Sequence, residues 1–420
     1  MKRGANYEKV IEVLKNIIKG TQYENHVFTV GGCERDRMLG LIVKDVDIVI
    51  NIQNGGIEFA HWLQNNGYTD GSVVIYEHFG TAMFRLKEIP EETIEAVQTR
   101  KECYRDMESR NPETAFGTLE DDCQRRDFTV NAIYRNISTG EVLDLNGKSF
   151  YDLNQEIIRT CGDPDVIFNE DPLRVLRAIR FRTRLGFTIE EETFNGMIKH
   201  LHRLSIISRE RITDEFCKML QSNNAYNAVK LISNIEALKY VIPCELDEKT
   251  LNERMFASGV IDSLDFMPKN LEIQLSRIFL KFTDKETEDI LKNMKLSNDI
   301  IKEVLWYKNH NDYRKIQTLK GLRQFMYECS SLPKFIHSLN IFSFYGVNKM
   351  ETYKYALHNV GNKMFGYKLP INGNDVMETL DIKGGPKVKK ILDELLDYAF
   401  YDPDITKEFC IDYIKKHFSE

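Results

Sequence analysis

The 420-residue chain lacks any apolar run long enough to cross a bilayer; stretches such as Val46 to Ile50 are far too short. No apolar segment of signal-peptide length follows the opening MKRGANYEKV. The eight cysteines, from Cys33 to Cys410, lie far apart and form no CxxC pair. That spacing argues against a zinc site or disulfide framework and points to a reducing, cytoplasmic setting. GxxxxGK[ST] and HExxH are missing, as are a low-complexity linker and a clean internal repeat. A net charge of −7 gives no global sign of a nucleic-acid partner.

What is present is a globular composition, 42% hydrophobic and 29% charged, at a length that predicts two to four packed units. Residues 6–19 carry apolar positions at helical spacing, with Gly20 as a stop. Short strand-like runs follow at 26–30, 45–50, 72–76, 81–86 and 93–98, and 132–145 reads as two strands around an STGE turn. From about residue 165 the pattern is helical almost to the end, with breaks near Asn223, Pro243, Pro268, Pro333 and Pro370. The predicted class is α+β, a mixed-sheet head followed by an all-helical remainder.

Asp45 and Asp47 interrupt an otherwise buried-looking strand, and side chains two apart share a face. Burying two unpaired carboxylates there costs several kcal/mol, so they face solvent or hold a hard cation such as Mg²⁺. Thirteen residues before Asp45, a strand ends in Gly31-Gly32 and runs into a helix carrying Arg35. Glycines let the backbone approach a triphosphate, the helix start supplies N–H groups, and Arg35 can add a bidentate phosphate contact. A third acid, Glu95, can complete the acidic cluster or act as a general base; an ordinary surface glutamate fits the sequence equally well. Arg174, Arg177, Arg180, Arg182 and Arg184 fall in eleven residues without an acid. On a helix from about Pro172 to Leu185, all but Arg182 share one stripe, backed by Leu173, Leu176, Ile179 and, less neatly, Phe181.

These residues resemble the nucleotidyltransferase superfamily built on the polymerase-beta palm. Arg125 to Ala132 (RRDFTVNA), Glu170 to Phe181 (EDPLRVLRAIRF) and Ser208 to Ile212 (SRERI) narrow the resemblance to class II CCA-adding enzymes and bacterial poly(A) polymerases. Motif order and spacing agree from residue 28 to about 220. Glu34 departs from the pattern, standing where the family usually carries an apolar residue. Glu95 stands where many relatives carry Asp.

The resemblance implies transfer of nucleotides from CTP and ATP to the 3′-hydroxyl of tRNA, gripped at its acceptor and T arm. Two Mg²⁺ ions would be held by Asp45 and Asp47, with Glu95 beside them. Gly31, Gly32 and Arg35 would cradle the triphosphate, and Arg126 and Asp127 would contact nucleotide and ribose. Asp171 and Arg174 would read the base, with Arg177 and Arg180 nearer the phosphates. The implied division is a catalytic head (1–155), a base-recognising neck (156–230), a body (231–350) and a tRNA-binding tail (351–420). In that tail Lys383, Lys387, Lys389 and Lys390 flank Gly384-Gly385-Pro386; the same segment also reads as a glycine helix stop followed by proline. Residues 104–118, with Arg110 and Pro112 matching an R-x-P element, read as the mobile loop that CC-only relatives lack in part. Three rivals remain: addition of A only, addition of CC only, and a non-catalytic RNA-binding protein on the same fold.

Overall fold

The computed structural model describes residues 6–77, 80–103, 113–256, 261–343 and 345–419. They form two compact units, residues 1–222 with 227–241, and residues 223–226 with 242–420. Among the described residues no helix is long and apolar enough to cross a membrane.

The first unit opens with α1 (Tyr7–Ile18), whose Tyr7, Val10, Ile11, Leu14 and Ile18 are buried along one face, as the helical spacing predicted. A seven-stranded sheet follows, built from β1 (Val27–Val30), β2 (Val46–Ile50), β3 (Val74–Tyr76), β4 (Thr81–Leu86), β5 (Ile89–Gln98), β8 (Tyr134–Asn136) and β9 (Val142–Leu143). Its order is β3-β4-β5-β2-β1-β8-β9, and only the β2–β5 pair is parallel. Helices α2 (Gly32–Met38) and α3 (Gly55–Asn65) leave β1 and β2. One face of the sheet packs on α1 and α3 through Val46, Ile48 and Ile50; the other covers Val49 together with Phe28, Val30 and Tyr134. Asp47 is the one residue of β2 that packs into neither core.

Besides the short helices at 119–124 and 149–154, three features were not anticipated. Helix α3 is one: its Gly56 packs so closely that a Cβ would lie 2.7 Å from Gly80 O and 2.9 Å from Ala96 O. A second is the hairpin-like pair β6 (Arg100–Cys103) and β7 (Glu113–Phe116). It makes part of the expected 104–118 loop a strand, while residues 104–112, with Arg110 and Pro112, lie outside the described residues. The third is a two-residue parallel pair, β10 (Ile157–Ile158) with β11 (Thr188–Ile189), inside the region expected to be helical.

The first unit continues with α4 (Leu119–Gln124), α5 (Ser149–Asn154), α6 (Pro164–Glu170), α7 (Arg174–Leu185), α8 (Glu191–His200) and α9 (Arg209–Leu220). Helix α7 starts two residues after Pro172 and ends at Gly186, whose φ of 80° makes it a left-handed cap. The second unit is helical, with an aromatic core around Phe325, Phe335 and Phe342 and a smaller core around Val376, Ile391 and Ile414. There the left-handed stop of helix Gly373–Leu380 is Asp381, φ 52°, and not a glycine. Gly385 instead precedes helix Pro386–Ala399. Lys383, Lys387, Lys389 and Lys390 around it are all exposed.

Candidate active site

Val30, Asp47, Thr81, Glu95, Arg125 and Arg126 line a cleft of about 340 Å³ at the ends of β1, β2 and β5. A larger hollow of about 680 Å³ in the second unit, among Lys389, Asp393, Tyr398 and Tyr401, brings none of the catalytic candidates together. In the parallel register Asp47 stands directly opposite Glu95, with Ile94 and Ala96 buried on the reverse side. Burial pushes the Asp47 carboxyl up to about 6; Glu95 and Asp45 add to the rise and Arg126 opposes it. Asp45 and Glu95 are both exposed. Among the described residues no three His, Cys, Asp or Glu side chains converge as a ready-made metal cage. His200 and His202, an HxH pair overlooked in the sequence, are turned to Asp165 and to the Lys199 carbonyl.

The glycine turn adjoins the carboxylates. Gly31 has φ 84°, a conformation that favours glycine. A Cβ there would lie 3.7 Å from Arg126 Nη1 and 4.0 Å from Asp47 Oδ2. The turn, the carboxylate and the arginine therefore meet at one point.

Arg126 is aimed by a residue that sequence reasoning missed. Asp122, fully buried, accepts from Arg126 Nε and Nη2 at 3.1 and 2.9 Å and from the Tyr134 hydroxyl at 2.8 Å. Its other oxygen accepts from Arg125 Nε at 3.0 Å. Burial by itself raises this carboxyl, but Arg126 and Arg125 outweigh it and hold the group at about 2. An acid three and four residues ahead of two arginines on a helix was the available signal.

Several of the expected site residues are held by protein partners. Arg35 is buried: its Nε and Nη2 donate to Asp36 at 2.8 and 2.6 Å and its Nη1 to Asn131. Enclosed in this way, it lies beside the turn, with Nη2 3.5 Å from where a Cβ on Gly32 would stand. Asp127 accepts from Asn131 Nδ2 at 3.0 Å and from Arg177 Nε and Nη2 at 2.9 and 2.6 Å. Burial raises its carboxyl too; Arg177 and Asn131 bring it down to about 2.

The arginine stripe of α7 is likewise paired. Arg180 donates to Glu215 at 2.6 Å and Arg184 to Asp36 at 2.7 Å. Phe181 belongs to this side after all, with the guanidiniums of Arg180, Arg35 and Arg177 at 4.3, 5.0 and 5.4 Å from its ring centre.

The side chains of Asp171 and Arg174 have separate protein partners. Asp171 Oδ1 accepts from Leu173 N at 3.2 Å and Oδ2 from Arg211 at 2.7 Å. Arg174 is buried, donating to Ile167 O at 3.0 Å, Glu170 at 3.1 Å and Arg125 O at 2.6 Å. Two backbone carbonyls and a carboxylate capture it because a buried guanidinium needs acceptors.

Residues 27–159 match the family described as "Poly A polymerase head domain", and residues 186–248 match "Probable RNA and SrmB- binding site of polymerase A". A CCA-adding enzyme of Ligilactobacillus salivarius is 32% identical over 71% of this chain and 69% of its own. A tRNA nucleotidyltransferase of Schizosaccharomyces pombe is 29% identical over 96% of this chain and 93% of its own. Among solved structures, the Bacillus stearothermophilus CCA-adding enzyme in complex with CTP shares the fold, with TM-score 0.77, 22% identity and coverage of 98% and 97% of the two chains. By these matches the chain belongs to the family of class II tRNA nucleotidyltransferases, or CCA-adding enzymes, and bacterial poly(A) polymerases.

Proposed function

We propose that the chain adds C, C and A to the 3′ end of tRNA, taking CTP and ATP as substrates and releasing pyrophosphate without a nucleic-acid template. The observation that carries this reading is the meeting of Gly31, Asp47 and Arg126 in one cleft, with Glu95 in register beside Asp47. The 3′-hydroxyl attacks the α-phosphorus of the nucleotide, the P–O bond to the β-phosphate breaks, and pyrophosphate leaves. Little covalent work falls to protein groups. They align the reactants and stabilise charge on the phosphoryl oxygens.

The carboxylates suit a hard cation: Asp47 and Glu95 both line the cleft, and the Asp47 carboxyl is raised by burial and by Glu95 and Asp45 against the pull of Arg126. Asp45 and Asp47 would hold two Mg²⁺ ions, which when bound supply activation of the hydroxyl and neutralisation of the pyrophosphate. Gly31 and Gly32 present backbone N–H groups to the triphosphate, and Arg126 adds charge from the opposite wall. Asp127, with Arg126, stands on the ribose side, and its partner Arg177 lies with Arg180 nearer the triphosphate. Base choice falls to Asp171 and Arg174; Asp171 is the more accessible of the two, and Arg174 must exchange its present acceptors to reach a base.

In this reading residues 1–155 are the catalytic head, 156–230 the neck, 231–350 the body and 351–420 a tail contacting tRNA backbone through Lys383, Lys387, Lys389 and Lys390. The test offers tRNA transcripts ending before C, CC or CCA with each nucleotide alone and all together. Full CCA completion is expected. A product of A alone or of CC alone assigns one of the two sibling activities, and no magnesium-dependent incorporation leaves an RNA-binding protein.

A further inference from the structure

Glu34 is the unusual residue of the glycine turn, and nothing in the reaction described above uses it. Its side chain is fully buried. Oε1 accepts from the hydroxyls of Tyr7 on α1 and Thr29 on β1, and Oε2 accepts from Arg37 Nε at 3.1 Å. The two hydroxyls are themselves 3.2 Å apart, and Arg135 on β8 reaches the Tyr7 oxygen at 3.5 Å. Residues of α1, β1 and α2 thus meet on one carboxylate placed two residues beyond Gly32, with β8 touching the cluster through Tyr7.

A buried carboxylate is tolerated only when its oxygens are satisfied, so its donors fix its position closely. An apolar side chain here would hold α2 by packing alone, which resists separation but permits sliding and rotation. Two directed hydrogen bonds to other elements, from Tyr7 on α1 and Thr29 on β1, resist rotation as well. Any turn of α2 about its axis carries the backbone of Gly31 and Gly32 with it, because Gly31 immediately precedes the first residue of the helix. Arg37 and Arg135 lie against the same cluster, so positive charge balances the acid behind the phosphate-facing side.

We propose that Glu34 is a positioning residue: through Tyr7 and Thr29 it sets the orientation of the Gly31–Gly32 turn and so the affinity for the nucleotide triphosphate. The inference rests on the reading of that turn as the triphosphate cradle.

Glu34→Gln keeps the volume and removes the charge and one acceptor. The expected result is a rise of about tenfold in KM for CTP and ATP alike, with kcat changed less than about threefold and KM for tRNA unchanged. Tyr7→Phe removes one donor and shifts both nucleotide KM values the same way by about threefold. Leu63→Ala, in the buried face of α3, lowers Tm without touching the turn and leaves nucleotide KM alone. A purely structural Glu34 predicts that all three variants lose Tm and keep their KM values. Nucleotide KM within about twofold of wild type in both Glu34→Gln and Tyr7→Phe overturns the proposal, as does an equal rise in KM for tRNA. If Glu34→Gln does not fold, Tyr7→Phe decides alone. Calorimetric titration with CTP separates the proposal from the functional reading. Should the wild type bind CTP but add nothing to tRNA, the activity assignment falls, and weakened CTP binding by the variants still supports the role of Glu34. Wild-type protein that binds no CTP overturns both.

Discussion

Asp127 and Arg177, fifty positions apart, form a two-pronged ion pair, both Nε and Nη2 of the arginine donating to Asp127 Oδ2. It ties the RRDFTVNA segment to the middle of α7. The Asp127 carboxyl is held at about 2, below its ordinary 3.8, so its contribution is complete above pH 4 and is lost as pH falls toward 2. Asp122 follows the same direction. Each difference corresponds to about 2 kcal/mol. Urea midpoints measured at pH 6 and pH 2.5 should show that loss, and Asp127→Asn should be less stable at pH 6 and less sensitive to acid. A variant as acid-sensitive as the wild type contradicts the pairing.

Asp122 holds two arginines in a buried network, so its removal takes away the carboxylate they share. Asp122→Ala should cost ~3–5 kcal/mol and should lower kcat/KM beyond what the loss of folded protein explains, because Arg126 loses its aim. Activity per folded molecule, normalised by near-UV circular dichroism, is the measurement. Unchanged normalised activity means that Arg126 needs no support from Asp122.

Asp47 carries a conflict between stability and chemistry. Its carboxyl is raised to about 6 by burial, Glu95 and Asp45, so ionisation costs the folded state as pH rises from 3.8 toward that value. Asp47→Asn never ionises and should melt a few degrees above wild type at pH 7 without Mg²⁺. The same change, or Asp45→Ala, should reduce incorporation by roughly three powers of ten while tRNA binding persists. More than about a tenth of wild-type turnover in either variant removes these residues from the metal site.

Asp171 separates base reading from helix capping, since its Oδ1 already accepts from Leu173 N. As a carboxylate it only accepts, which suits the exocyclic amines of cytosine and adenine and repels the carbonyls of uracil and guanine. If it reads the base, Asp171→Ala lets UTP and GTP compete measurably with CTP and ATP in kcat/KM. If it only caps, Tm falls by the equivalent of about 1 kcal/mol and nucleotide choice is intact.

The segment Tyr104 to Thr118 is expected to be needed for the terminal A and not for the two Cs. Shortening it between β6 and β7 should leave tRNA products ending in CC, resolved on a sequencing gel. Normal CCA completion by the shortened chain removes the reason for linking this segment to the last addition.

Much of the catalytic head was legible in one dimension. The glycine pair, the Asp45–Asp47 spacing and the alternation of β2 and β5 are local properties, and local sterics and period-2 burial carry them into three dimensions. That Glu95 faces Asp47 followed from strand reading only as an option, since the register of a parallel pair is set by packing on both faces of the sheet. Helix α3 and the β6–β7 pair escaped because their sequences are short and mixed, and tertiary contacts stabilise them more than propensity does.

The arginines of α7 show where sequence stops. Their spacing determined that Arg174, Arg177, Arg180 and Arg184 share a stripe, and covalent helix geometry guarantees it. Which of them stays available to a substrate did not follow. Arg184 meets Asp36 from 148 positions away, Arg180 meets Glu215 from 35, and Arg174 turns inward to the Arg125 carbonyl from 49. A charge leaving water must find a partner wherever the fold brings one, so the sequence by itself determined the chemistry this protein owns. Only the tertiary structure decided which charges are spent on one another and which remain for the nucleotide.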